Sequence, residues 1–263
     1  ILEDRKGSVW VKHETGRLAL WTVAERVLQL VEAAGDVREK MKAPLRSLED
    51  VLRFYADTMR QVDAAHRELE QAVADVFGEL ETLEPAVSLA RTSYRDSAED
   101  LQRRFVSSVG EEGWPCSAWP ANTQVFDRFV RPFLDERRKT ALLMVDALRY
   151  ELAVALENAL AGKYKVELQP VCAQLPTMTS VGMASLLPDA ETLRLKDKEG
   201  KPVPVLGDRE IGRPKDRLEH ARKILGDRCA MIDLKDLASG KKVALTDTGD
   251  FLLVKTTEMD DAG

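Results

Sequence analysis

The chain has 263 residues, 44% hydrophobic and 32% charged, with a formal net charge of −6 and a pI near 5.4. That length holds one or two domains. The mix is too apolar for a disordered chain and too charged for a membrane protein, and the acidic balance argues against a nucleic-acid binder held by charge alone.

Ile1 stands where Met would, no basic-then-apolar leader follows, and Glu258–Gly263 close the chain directly after a predicted strand. Both ends read as cut, so a fragment of a longer protein is expected. Residues 1–122 hold 16 of the 39 basic and 22 of the 45 acidic residues, leaving 23 of each for residues 123–263. The acidic excess therefore lies wholly in the first part, which reads as helix throughout. Leu18, Trp21, Ala24, Val27, Leu28 and Val31 form one apolar stripe, and Gly35 is its expected stop. A second pattern runs from Leu48 through Val51, Leu52, Tyr55, Met59, Val62, Leu69, Val73, Val76 and Phe77 to Leu83, broken only at Gly78. A third follows Pro85, through Val87, Leu89, Tyr94, Ala98 and Leu101 to Phe105. Sequential helices with short links predict an all-α helical bundle or hairpin over residues 1–122. With no convergent polar cluster visible, a docking module with a solvated acidic face is expected there.

Residues 110–122 (GEEGWPCSAWPAN) carry two Gly and two Pro and mark the boundary, with Trp114 and Trp119 expected in the seam. Past a short helix at Phe126–Glu136 the pattern changes. Thr140–Val145 is a continuous apolar run, the mark of a strand buried on both faces. Leu148–Leu160 reads as a helix with leucines at fourfold spacing, Lys165–Ala173 as a strand and Ser180–Leu187 as a helix. Glu191–Arg213 reads as an inserted, mostly solvated hairpin or loop, Asp216–Leu225 as a helix, and Cys229–Ile232 and Phe251–Thr256 as strands. Alternating strands and helices predict a parallel α/β sheet over residues 123–263. The uncharged run Leu168–Pro188 is long enough to span a bilayer, but its prolines, Gln, Ser and Thr suit a buried strand, a turn and a helix start instead.

Ligands of such a sheet gather beyond the carboxyl ends of the strands, where three features stand. Asp146 directly follows the first strand, and a carboxylate there needs a cation (a divalent metal, or an arginine such as Arg149) unless it simply caps a helix. Thr177-Met-Thr179-Ser180 enters a helix, so its hydroxyls face free N–H groups, an arrangement that binds phosphate or caps the helix. Asp260 and Asp261 follow the last strand and suit a metal or a helix start. Cys116, Cys172 and Cys229 are odd in number, far apart and without CxxC spacing, which predicts reduced thiols in a cytoplasmic protein. His13, His66 and His220 are too scattered for a His-rich metal site. No GxxxxGK[ST] loop or GxGxxG turn points to ATP hydrolysis or dinucleotide chemistry.

The segments Leu142-Leu-Met-Val-Asp146-Ala-Leu-Arg149 and Leu175-Pro-Thr-Met-Thr179-Ser-Val-Gly-Met-Ala-Ser-Leu-Leu-Pro188, in that order, resemble the PglZ domain. This is an alkaline phosphatase superfamily domain of BREX phage-defence systems, and the resemblance covers about residues 140–263. It implies a truncated alkaline-phosphatase-like core acting as a metal-dependent phosphatase or phosphodiesterase, with zinc at two sites. Asp146 matches a ligand of the first metal, Thr179 the nucleophile (with Thr177 as the alternative in register), and Asp260 a ligand of the second. The family's downstream Asp-His pair and final His have no counterpart before Gly263, so this portion alone is expected to be inactive, and His220 does not match a ligand position. Other defence-system proteins are the implied partners, a phosphate ester, nucleotide or nucleic acid the implied substrate, and no membrane is involved. The competing expectation is a non-catalytic scaffold module of the defence complex with a degenerate metal site. A sulfatase would need a C/S-x-P-x-R setting, which Pro176-Thr-Met-Thr-Ser lacks.

Overall fold

The computed structural model describes residues 15–76, 80–240 and 249–256. Asp260 and Asp261, as well as His13, Phe77 and Gly78, lie outside the described residues. The chain divides into two compact units, one within Ile1–Trp114 and Tyr150–Leu168, the other within Pro115–Arg149 and Gln169–Gly263. An N-terminal helical region is thus followed by a small parallel sheet with helices. Among the described residues no helix is long and apolar enough to cross a membrane.

The helical unit is built from α1 (Thr15–Lys40), α2 (Leu48–Phe54), a π turn at Tyr55–Met59, α3 (Arg60–Ala74), a 3-10 turn at Leu80–Thr82 and α4 (Glu84–Glu112). Ser47 caps α2 by accepting the Asp50 N–H at 3.1 Å, and Pro85 sits in the first turn of α4, where its missing N–H costs nothing. The buried stripe of α1 is Val23, Val27, Leu30, Ala34 and Val37. It is rotated from the expected one, so that Leu28 is exposed. Nor does Gly35 stop α1. A mid-helix glycine costs only about 1 kcal/mol, and burial of Ala34 and Val37 on either side of it outweighs that. The extra residue of the π turn resets the stripe from Val51 to Ala56, Met59, Val62 and Leu69, keeping one face in the core. Trp114 packs edge-on against Phe105 of α4, with centroids 5.5 Å apart. The helix α6 (Tyr150–Leu160) belongs to this unit and buries Glu151; Leu148 precedes it and is exposed, as is Leu156.

The unit also holds the polar cluster that the sequence reading missed. The Tyr55 and Tyr94 hydroxyls donate to the two oxygens of Asp63 at 2.7 and 3.2 Å. Arg91 forks onto Glu70 with two bonds of 2.8 Å, and the His66 ring stacks on Tyr94. Arg67 Nε lies 3.6 Å from Glu151 Oε1. Burial, reinforced by Asp63, pushes the Tyr55 phenol up. Their partners come from different helices, so no local spacing announces them.

In the second unit a π turn at Phe126–Val130 leads into α5 (Arg131–Asp135) and β1 (Thr140–Val145). After α7 (Thr179–Ala184) come β2 (Arg194–Lys198), β3 (Lys201–Leu206), β4 (Arg209–Glu210), α8 (Pro214–Leu225), β5 (Cys229–Asp233), α9 (Leu234–Ala238) and β6 (Phe251–Thr256). The main sheet has the order β1-β6-β5 and is wholly parallel. Central β6 buries Phe251, Leu253 and Val254, and Phe126 meets Phe251 edge-on at 5.7 Å. β1 is not buried on both faces: Met144 points into the core while Ala141 and Leu143 are exposed, because β1 is an edge strand of the described sheet. Residues 165–173 form no strand. They make one isolated bridge, Cys172 to Ala121, and Pro170 has no N–H to extend it. The expected hairpin is the antiparallel sheet β2-β3-β4, which is not wholly solvated, since Leu206 and the adjoining Ile211 are fully buried. All three cysteines are buried free thiols.

Candidate active site

The register of the sheet sets Val145 beside Thr256 and Asp233 beside Lys255, so the three strands end at one rim. Asp146 follows immediately from β1. Its Oδ1 accepts the Ala147 N–H at 3.0 Å, and Ala147 adopts φ 52°, a left-handed conformation costing a non-glycine residue roughly 1–2 kcal/mol. A strained turn directly behind a half-buried carboxylate suits a position where geometry matters more than ease of folding.

Thr179 opens α7. Met178 before it is extended, and its carbonyl takes the N–H groups of Val181 and Gly182 at 2.9 and 2.8 Å, which starts the helix at Thr179. Val181, Met183 and Ala184 bury the far face, leaving Thr179 exposed. Its hydroxyl donates to Asp146 Oδ1 over a long 3.5 Å, from 33 residues away. The acid and the alcohol thus meet at the carboxyl end of β1. Thr177, also exposed, makes no hydrogen bond among the described residues.

A third residue here escaped sequence reasoning. Arg217 of α8 is 7% exposed and lies within electrostatic reach of Asp146. Burial pulls the pKa of its guanidinium down, opposed by the Asp146 and Asp216 carboxylates. The sequence predicts a helix at Asp216–Leu225 without assigning its faces, and only the shared spacing of Arg217, His220 and Ala221 hints at a buried one. His220 is likewise buried, and its Nε2 lies 3.0 Å from the Pro188 carbonyl oxygen, holding α8 to the segment after α7. It is occupied as a packing residue.

No group of three or more His, Cys, Asp or Glu that could hold a metal occurs among the described residues. Asp146 and Thr179 offer one carboxylate and one hydroxyl, hard oxygen donors that fit one side of a divalent-cation shell and not the whole of it.

A family model described as the BREX system PglZ alkaline phosphatase-like domain matches residues 125–256. The "Alkaline phosphatase-like protein PglZ" of Bacillus cereus (strain H3081.97) is 28% identical over 153 residues, covering 53% of this chain and 17% of that protein. The chain therefore spans less than a fifth of the length of the curated relative it matches. Asp146, Thr179 and Arg217 all fall inside the family match.

Proposed function

Because this chain belongs to the PglZ family of BREX alkaline phosphatase-like domains, we propose that its rim performs phosphoric-ester hydrolysis, with Thr179 as the nucleophile and Asp146 as a ligand of a divalent metal, zinc by preference. The observation that carries this reading is the 3.5 Å approach of Thr179 Oγ1 to Asp146 Oδ1 from separate segments. A cation held by Asp146 would supply Lewis acidity to a phosphoryl oxygen and favour the ionised alcohol, and Asp260 is assigned to a second metal.

Thr179 Oγ1, exposed at the start of α7, has open access for in-line attack. Its hydroxyl proton faces Asp146 Oδ1. Attack forms the Oγ1–P bond as the ester oxygen leaves with a proton, giving phosphothreonine and an alcohol. Water then cleaves the Oγ1–P bond, restoring the hydroxyl and releasing inorganic phosphate from a monoester or a phosphomonoester from a diester. The packing of Val181 and Ala184 fixes α7, so the nucleophile is oriented before substrate arrives. A nucleotide or nucleic acid would present the same phosphoryl chemistry. BREX membership brings other defence proteins into play, and we assign partner docking to the helical unit.

The test is zinc-dependent cleavage of an aryl phosphodiester and an aryl phosphomonoester by the protein carrying this chain. Thr179→Ala is expected to lower turnover at least about a thousandfold, or about 4 kcal/mol of barrier, and the phosphothreonine adduct should vanish from mass spectra of quenched reactions. Full activity in that variant overturns the assignment.

A further inference from the structure

Between the two site residues the chain leaves their unit and returns. Asp146 and Thr179 belong to the sheet unit, whereas Tyr150–Leu168 belong to the helical one. α6 opens this excursion, and its anchor there is polar. Of its 11 residues only Glu151 is buried, with a side chain 1% exposed, while Leu156 is exposed. Among the described residues, the apolar core of the helical unit includes no side chain of α6. The buried carboxylate turns to Arg67 of α3, Oε1 lying 3.6 Å from Nε, and the Tyr150 ring tilts against Tyr55 with centroids 6.4 Å apart. A buried ion pair adds little net stability, because desolvation offsets the attraction. Elements with little apolar burial open before the rest of a fold. Only Ala147, Leu148 and Arg149 separate α6 from Asp146. Such a link spans about 14 Å at most, so the Asp146 carboxylate and the start of α6 cannot move independently.

We infer that α6 is a strap: it undocks from α3 while both units stay folded, and its docking and metal binding at Asp146 favour each other. The inference deepens the hydrolase reading, on which its second half rests, and gives the helical unit a regulatory hold on the site. Coupling of this kind is reciprocal. Metal at Asp146 holds the strap down, and whatever lifts the strap off α3 lowers metal affinity by the same factor. The alternative is a fixed helix whose anchor is structural only.

Hydrogen exchange read by mass spectrometry, on the protein carrying this chain, separates the two. In the parent, α6 amides should exchange on the order of a hundredfold faster than those of α3. Arg67→Met leaves Glu151 without that cation and should speed α6 a further tenfold or so, with α3 and α4 unchanged. Arg67→Lys keeps the charge and should stay within about threefold of the parent. Saturating Zn²⁺ should slow α6 exchange by about fivefold or more in the parent and not in Asp146→Asn. Glu151→Lys sets like charges against each other and holds the strap open, so its calorimetric Zn²⁺ affinity should fall by that same factor. If Glu151→Lys does not fold, the zinc-dependent protection of the parent decides. Exchange in α6 as slow as in α3 overturns the inference. So does zinc that binds and leaves α6 exchange unchanged, or that slows every amide of both units alike. A parent that binds no zinc removes the metal reading and the coupling with it, and fast α6 exchange in the metal-free protein tells that failure apart from a fixed helix.

Discussion

The two ends of the parallel sheet treat charge in opposite ways. At the amino ends, Asp250 before β6 meets Arg228 before β5. Arg228 Nε reaches Oδ1 at 2.8 Å and Nη2 reaches Oδ2 at 2.6 Å, while Nη2 also donates to the Leu134 carbonyl at 2.7 Å. The Asp250 side chain is only 10% exposed, and the guanidinium holds its carboxyl below the usual carboxylate range. At the carboxyl ends, Asp233 is taken by Lys255 at 2.8 Å, but among the described residues Asp146 has no cation in contact, its Oδ1 taking the Ala147 N–H and the Thr179 hydroxyl. A closed pair contributes stability and nothing else. A carboxylate without a cation partner has capacity to spare for a third party.

The comparison breaks most sharply if exchanging charge at the open end behaves like exchanging it at the closed end. Asp146→Asn is isosteric. It should lower turnover on the order of a hundredfold or more, about 3 kcal/mol of barrier, and weaken Zn²⁺ binding, while the melting temperature stays within about 2 °C because no ion pair is lost. Asp250→Asn should do the reverse. It leaves Arg228 half-satisfied, and since Arg228 is 24% exposed and so partly screened, the loss falls nearer about 2 kcal/mol than the larger cost of breaking a fully buried pair. Phosphate and zinc affinity should not change. Urea midpoints and Zn²⁺ titrations on the two variants check both.

The same comparison shows what could be read in advance. β6, β5 and the start of β1 follow from apolar runs, and the Asp146 and Thr179 segments carry enough local pattern to be found. The burial of Arg217 could not be read, because it depends on which face of a charged helix turns inward, and only packing of His220 against Pro188 and of the core decides that. The exposed face of β1 was misread for a similar reason: an apolar run reports what a strand can bury, while its place at the sheet edge decides what it does bury. Residues 165–173 have strand composition and lack a partner strand, so composition alone misled. Asp63 with Tyr55 and Tyr94 joins residues 8 and 31 apart across helices, beyond any single periodic window.

Acid sharpens the contrast further. Because the folded pKa of Asp250 lies below its unfolded value, about 3.9, its ion pair stabilises fully above that pH and loses its contribution as pH falls through the folded value. The stability gap between the parent and Asp250→Asn should therefore be widest near neutrality and shrink below about pH 3. Other depressed acids, such as Glu70, titrate equally in both proteins and cancel from the difference. A gap that stays constant from pH 7 down to about pH 2 would mean that the carboxylate contributes through packing, not charge.

The smallest expected effect separates the two threonines. Thr177 and Thr179 are both exposed and only two residues apart, so a reading built on local pattern treats them almost alike. The fold does not: α7 starts at Thr179, whose hydroxyl reaches Asp146, whereas Thr177 lies outside the helix and bonds nothing described. Thr177→Ala should thus leave turnover within about twofold, some 0.4 kcal/mol, on the same aryl substrates that Thr179→Ala abolishes. If the outcomes exchange, the 3.5 Å approach is incidental and the open end of the sheet loses its proposed nucleophile.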